Sequence, residues 1–188
     1  MEHFHYRIPG WFTFPKLYTH MVERYDNAHF VEVGAFQGAS TAYMAVEIAN
    51  SKKNIKLTTV DVWDRYTIDG LSLKDPDSVP IDFVWHLYKE NIKPVDHLVE
   101  SLRMSSVEAA KRFPDESLDF VFIDANHVYE AVMHDLHAWY PKIKKGGHIA
   151  GHDYTANDDD VRRAVKDFFG VKDDRYACGE WSWCVFKE

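Results

Sequence analysis

Two short stretches place acids and imidazoles where apolar runs stop. Phe122–Tyr129 reads FIDANHVY and Ala150–Tyr154 reads AGHDY, so Asp124 and Asp153 each end a run with a histidine close by. Carboxylates brought together repel unless a cation, a proton or a polar shell compensates them. A divalent ion such as magnesium takes oxygen ligands and water, and it can orient a hydroxyl and lower its pKa. Asp124, Asp153 and His152 are therefore candidate metal ligands, with Asn126 a further donor. An imidazole can also take a proton near neutral pH without any metal. His127 and His152 are the candidate bases, and Asp124 or Asp153 would then orient the ring through its second nitrogen. Metal-assisted and metal-free chemistry both stay open at this level.

A second constellation precedes these. In EVGAFQG, Gly34 and Gly38 fall where a strand turns into a helix. Glycines permit a tight turn and close backbone approach to a ligand. The spacing is neither G-x-G-x-x-G nor a phosphate loop ending in GK[ST]. Glu32 closes the first strand. Asp61 closes the second, where doubly wound proteins place an acid for a pair of ribose hydroxyls.

Other polar residues read as structural. His134 and His137 share a helix and take no site role, and Asp135 reads as a partner for nearby donors. Asp158, Asp159 and Asp160 read as helix-capping acids, one of which pairs with Arg162 or Arg163. Tyr129 and Tyr154 flank the two motifs as aromatic walls or substrate-orienting phenols.

These residues need strands and helices to position them. The irregular aromatic arm 1–15 leads into a helix from Lys16 to Tyr25. HFVEV, LTTVDV (57–62), DHLVESL, LDFVFID and GHIAGHDY read as strands. ASTAYMAVEIAN, IDFVWHLYKENI, SSVEAAKRF, VYEAVMHDLHAWYPKI and NDDDVRRAVKDFFG read as helices, the last closing on Gly170. Residues 64–80 read as a loop, KKGG as a turn, and 171–178 and 181–187 as two strands joined at Gly179. This alternation predicts a single α/β domain: a doubly wound, mostly parallel sheet with helices on both faces and an antiparallel C-terminal strand. Residues 1–25 would be an arm and helix that can act as a lid on a domain spanning 26–188.

The totals bound the function. The 188 residues suffice for one sizeable core, and a formal charge of −8 argues against duplex nucleic acid as a partner. No apolar run reaches the length of a membrane span and no signal-peptide pattern opens the chain, so a cytoplasmic protein is expected. Cys178 and Cys184 form no CxxC motif, and thiols rather than a disulfide are expected.

VEVGAFQGAST, TTVDVW and the run from ESLRMSSVEAAKRF to GGHIAGHDY resemble class I S-adenosylmethionine-dependent methyltransferases. More narrowly, they resemble the small-molecule O-methyltransferases that act on macrolide and aminocoumarin sugars. The resemblance covers roughly residues 28–170. It implies that Glu32, Gly34, Ala35 and Gly38 hold the amino-acid end of S-adenosylmethionine and that Asp61 takes its ribose. It further implies that Val62 or Trp63 flanks the adenine, that Ser105, Ser106 and Val107 pass its edge, and that Asp124 borders the cofactor. A divalent metal, Mg2+, held by strand-end acids is implied too, with an acidic base.

This chain departs from that pattern. Asn126 stands at the expected base position, and His152–Asp153 replaces a pair of acids. His127 or His152 is then the replacement base. The expected acceptor is a small hydroxylated molecule, sugar or phenolic, covered by the arm (Trp11, Phe12, Phe14) and by residues 64–97. A homodimer is compatible with all of this. Asn126 also leaves open a cofactor-binding protein without turnover. A nucleotide-cofactor oxidoreductase is disfavoured by the glycine spacing and by the lack of a Ser-Tyr-Lys arrangement.

Overall fold

The structure is a computed structural model that describes residues 1–64, 80–155 and 159–188. Most of the expected 64–80 loop lies outside the described residues.

Seven strands form one sheet: β1 (Asn27–Val33), β2 (Asn54–Asp61), β3 (Val99–Arg103), β4 (Leu118–Ile123), β5 (Ile143–Gly151), β6 (Ala177–Gly179) and β7 (Ser182–Phe186). Their order is β3-β2-β1-β4-β5-β7-β6. The first five run parallel, and β7 pairs antiparallel with β5 and β6. The helices are α1 (Pro15–Arg24), α2 (Ala39–Ser51), α3 (Phe83–Ile92), α4 (Ser106–Ala110), α5 (Tyr129–Trp139) and α6 (Asp159–Phe169).

Period-two alternation in the central strands builds two cores. Phe30, Phe120 and Phe122 face one cluster with Tyr18 of α1, Met44 of α2 and Tyr88 of α3. Val31, Val33, Val121 and Ile123 face the other with Ala109 of α4, Leu136 of α5 and Val165 of α6. Burial on both faces is why FVFI reads as a continuous apolar run.

Two expectations about elements are corrected. KKGG is not a turn between elements but part of β5, where the register slips between Leu118 and Phe120 of β4. Gly146 (φ 80°) absorbs the irregularity, and its N–H donates to Lys187 O. The strand expected over 171–178 shrinks to Ala177–Gly179, and the hairpin turns at Glu180 and Trp181, both left-handed (φ 53° and 57°). That pair of dihedrals matches the twist of a tight antiparallel hairpin.

Candidate active site

Register alone brings the site together. Val33 pairs with Val60 and Ile123, and Ile123 pairs with Gly151. The residues that follow are Gly34, Asp61, Asp124 and His152, so the strand ends converge at the carboxyl edge of the sheet. Gly34 makes the close approach feasible. Its φ is +89°, and a Cβ there would lie 1.9 Å from Asp124 O.

Asp124, His152 and Asp153 offer ligand atoms within 4.8 Å of one another, the one such metal-capable group among the described residues. His152 Nδ1 lies 3.4 Å from Asp153 Oδ1 and 3.9 Å from Asp124 Oδ1. Its Nε2 lies 2.8 Å from Thr13 Oγ1 of the arm. His127 Nε2 sits 3.3 Å from Asp124 Oδ1 and 3.2 Å from Asp153 Oδ2, with 44% of its side chain exposed. Asp153 turns the chain in a left-handed conformation (φ 56°), one that Asp adopts more readily than most residues. Burial opposes charge on His152. The hydrogen bond to Asp153 and the charges of Asp124 and Asp153 outweigh it, and the pKa rises. The same hydrogen bond holds Asp153 below the usual carboxylate range.

These groups line a cavity of about 1070 Å³ that runs from the glycine loop to α5. Its wall includes Gly34, Ala35, Asp61 and Val62 on one side and Ser105, Ser106 and Val107 on another. Asp61 is tied to the loop: Oδ2 accepts from Ala35 N–H at 2.9 Å and Phe36 N–H at 3.0 Å, and Oδ1 from Trp63 N–H at 2.8 Å. Burial raises its pKa, and these N–H donors limit the rise.

Three residues expected to contact the cofactor stand off this wall. Glu32 is fully buried and accepts from Tyr18 (3.0 Å), Thr59 (3.2 Å) and Thr41, which ties β1 to α1, β2 and α2. Gly38 caps α2 against Ile92 and Tyr88. Trp63 is buried against Trp85 and Tyr88, and its indole N–H donates to Phe36 O at 2.9 Å. Its side chain is core, and Val62 takes the exposed position.

The arm forms part of the cavity through Pro9, Trp11, Phe12 and Thr13. Trp11 is 68% exposed and lies over Phe36, whereas Phe14 is buried against Phe122 and His152. Trp181, 61% exposed, closes the opposite rim. Sequence reasoning passed over Thr13, Gln37 and Trp181. Nothing local marks Thr13, because its partner lies 139 residues away.

Of the acid triplet, Asp158 lies outside the described residues. Asp160 accepts from Tyr129 N–H at 3.2 Å, capping α5 rather than its own helix. Arg163 pairs with Asp160 and covers the Tyr129 ring. Arg162 goes to Asp174 instead of the triplet, joined there by Lys166 and the Tyr154 hydroxyl. Cys178 and Cys184 are free thiols.

A family described as methyltransferase domain matches residues 31–154. The chain belongs to that family. This methyltransferase domain has the class I S-adenosylmethionine-dependent fold and resembles small-molecule O-methyltransferases in architecture. The O-methyltransferase NovP superposes with a TM-score of 0.66 at 16% identity, over 92% of this chain and 78% of that one. A cofactor-bound protein from MTB gives 0.66 at 15% identity, over 97% and 83%. A SAM-dependent O-methyltransferase from Thermotoga maritima gives 0.59 at 14%, over 87% and 51%. An uncharacterized protein of Acanthamoeba polyphaga mimivirus is 25% identical over 142 residues, 69% of this chain. The chain spans about half the length of that curated relative.

The cavity of this methyltransferase domain suits the family's cofactor. Gln37 is buried on the wall, and its side-chain nitrogen has no hydrogen-bond partner. It stands at the start of α2, where the helix dipole also favours a carboxylate. The wall carries Asp61, Asp64, Asp124, Asp135 and Asp153, and no Lys or Arg among its described residues. Such a donor set favours a cationic ligand with one anionic end. Among the described residues no helix is long and apolar enough to cross a membrane.

Proposed function

We propose that the protein transfers a methyl group from S-adenosylmethionine to a hydroxyl of a small molecule. The observation that carries this reading is the convergence of Asp124, His127, His152 and Asp153 on one cavity wall with the glycine loop. Gln37 and the start of α2 would receive the cofactor's carboxylate, Asp61 its ribose, and Val62 and Ser105–Val107 its adenine. When bound, the cofactor supplies an electrophilic methyl on sulfur.

The protein's own groups divide the remaining work. His127 is the exposed imidazole of the cluster, and it takes the acceptor's hydroxyl proton. Asp124 and Asp153 hold its ring from two sides and stabilise the imidazolium that results. His152 is buried, with both ring nitrogens engaged, so it positions rather than abstracts. The donor set also fits a divalent ion. Asp124 and Asp153 with water suit magnesium, and the His152 nitrogen would additionally suit manganese. Thr13 would then accept from the other ring nitrogen of that ligand, as metal-bound histidines commonly require.

The acceptor is a small hydroxylated molecule, sugar or phenol, that carries no phosphate or carboxylate, because the described wall offers no cation to pair with one. Trp11 and Trp181 flank it as ring-stacking surfaces, and residues 1–25 act as its lid.

The test combines binding and turnover. Calorimetry with S-adenosylhomocysteine should show saturable binding, and no binding would sink the reading. With an acceptor found by screening neutral sugars and phenols, His127→Ala should lower kcat by about 100-fold or more. Undiminished turnover in that variant would remove His127 as the base. Cofactor binding with no transfer to any acceptor would favour a binding protein.

A further inference from the structure

Asp135 is an acid on the cavity wall with no part in the chemistry above. It projects from α5 toward the start of α4 and is 4% exposed. Its Oδ1 accepts from Ser106 Oγ at 2.5 Å, and Ser106 Oγ in turn accepts from the Trp139 indole N–H at 2.8 Å. This chain of bonds fixes the carboxylate and consumes only one of its oxygens. Oδ2 accepts no hydrogen bond from any described residue. Burial pushes the carboxyl up to about 6, opposed by the Ser106 hydroxyl and the charge of His134. A buried, immobilised carboxylate with an open lone pair is a demanding acceptor, because it stays unsatisfied until an N–H or O–H donor reaches it.

Its surroundings indicate what that donor belongs to. Val62 and Val107 are unusually exposed for valines, at 39% and 38%, and both line the same cavity with Ala131. They make an apolar slot whose polar end is Asp135. A planar ring carrying an amino group fits such a slot, with its faces on the valines and its N–H on the acid.

Resting on the S-adenosylmethionine reading, we infer that Asp135 reads the exocyclic amine of the adenine ring and sets purine specificity. Oδ2 accepts from the amino N–H. A hypoxanthine ring presents a carbonyl oxygen at that position, and two acceptors facing each other repel. Sites built to bond a donor reject analogues that lack it far more strongly than apolar pockets do.

The experiment compares S-adenosylhomocysteine with S-inosylhomocysteine by calorimetry, on wild type, Asp135→Ala and Asp135→Asn. Wild type should prefer the adenosine compound by about 100-fold. Asp135→Ala should weaken the adenosine compound by about tenfold or more and leave the inosine compound nearly unchanged, so the preference collapses. Asp135→Asn keeps the volume and, through its amide oxygen, the Ser106 bond. Its N–H can donate to the hypoxanthine carbonyl, so it should bind the inosine compound better than wild type does.

The ratio of the two affinities separates specificity from support. If Asp135 only props α4 against α5, both compounds weaken together and the wild-type preference persists. That result overturns the inference and leaves the cofactor reading standing. If wild type binds neither compound, the cofactor reading itself fails, and this inference with it. Should Asp135→Ala not fold, Asp135→Asn alone decides: an unchanged preference in it overturns the assignment.

Discussion

Thr13 and His152 are joined by a 2.8 Å contact between the threonine hydroxyl and the imidazole Nε2. It ties the N-terminal arm to the acid–imidazole cluster and leaves Nδ1 directed at Asp124 and Asp153. Thr13→Val keeps the shape of the side chain and removes the hydroxyl. Partners of this kind typically contribute 10- to 100-fold to metal affinity. Manganese titration should therefore show binding weakened by about tenfold, with the thermal midpoint little changed. An unaltered titration would mean that the arm packs against the cluster without governing it.

Asp153→Asn addresses the metal itself. It removes one carboxylate from the set but keeps its size. If Asp124, His152 and Asp153 hold a divalent ion, the variant should lose about 100-fold in manganese affinity, and methyl transfer should lose its sensitivity to EDTA along with most of its rate. Equal transfer by wild type with and without EDTA would point to the metal-free route, with His127 assisted by the two acids alone.

Gly34 should tolerate no side chain. A Cβ would meet Asp124 O at 1.9 Å and Asp124 C at 2.5 Å, in a backbone conformation that L-residues rarely adopt. Gly34→Ala is expected to destabilise by about 3 kcal/mol or more. For a chain of this size that lowers the melting temperature by roughly 6–12 °C. Melting within about 2 °C of wild type would show that β1 and β4 separate more easily than their register suggests.

Glu32 gives a pH signature. Burial raises its carboxyl to about 7 from 4.5, against the hydrogen bonds from Thr41, Ser40, Tyr18 and Thr59. Between those values the folded chain binds more protons than the unfolded one. The contribution to stability is thus greatest below about pH 4.5 and is lost as pH rises through about 7, a change of about 3 kcal/mol. Glu32→Gln removes the titration. Urea midpoints should show the variant gaining on wild type between pH 5 and pH 8, and a constant difference across that range would contradict the assignment. Asp135, raised to about 6, titrates with the same sign and is present in both proteins.

The sequence made the sheet legible wherever strands are buried on both faces. FVFI and HFVEV stand out because every side chain there has somewhere apolar to go, and their ends locate Asp124, Asp61 and the glycine loop. Less was legible where long-range packing decides. Trp63 follows an acid at a strand end and reads as a cofactor neighbour, yet α3 supplies Trp85 and Tyr88 as partners that bury it. Glu32 reads as a cofactor contact in the same way, and only the assembled fold shows the Tyr18, Thr41 and Thr59 hydroxyls around it. KKGG looks like a turn because its neighbour in the sheet, which carries it along as an irregular strand, is distant in sequence. Asp135 reads as a structural partner. Its bond to Ser106 agrees with that, and its place on the cavity wall is visible only in three dimensions.

The five aspartates of the cavity wall also act before any ligand arrives. A concave, low-dielectric pocket lined by one sign of charge focuses its field outward, so a sulfonium-bearing molecule is drawn in from beyond contact distance. Association should accordingly be fast at low ionic strength and slow as salt is added, while dissociation stays nearly constant. Loss of a methyl from sulfur abolishes that positive centre. The same field then holds the demethylated product less firmly than the substrate, which gives the encounter a direction.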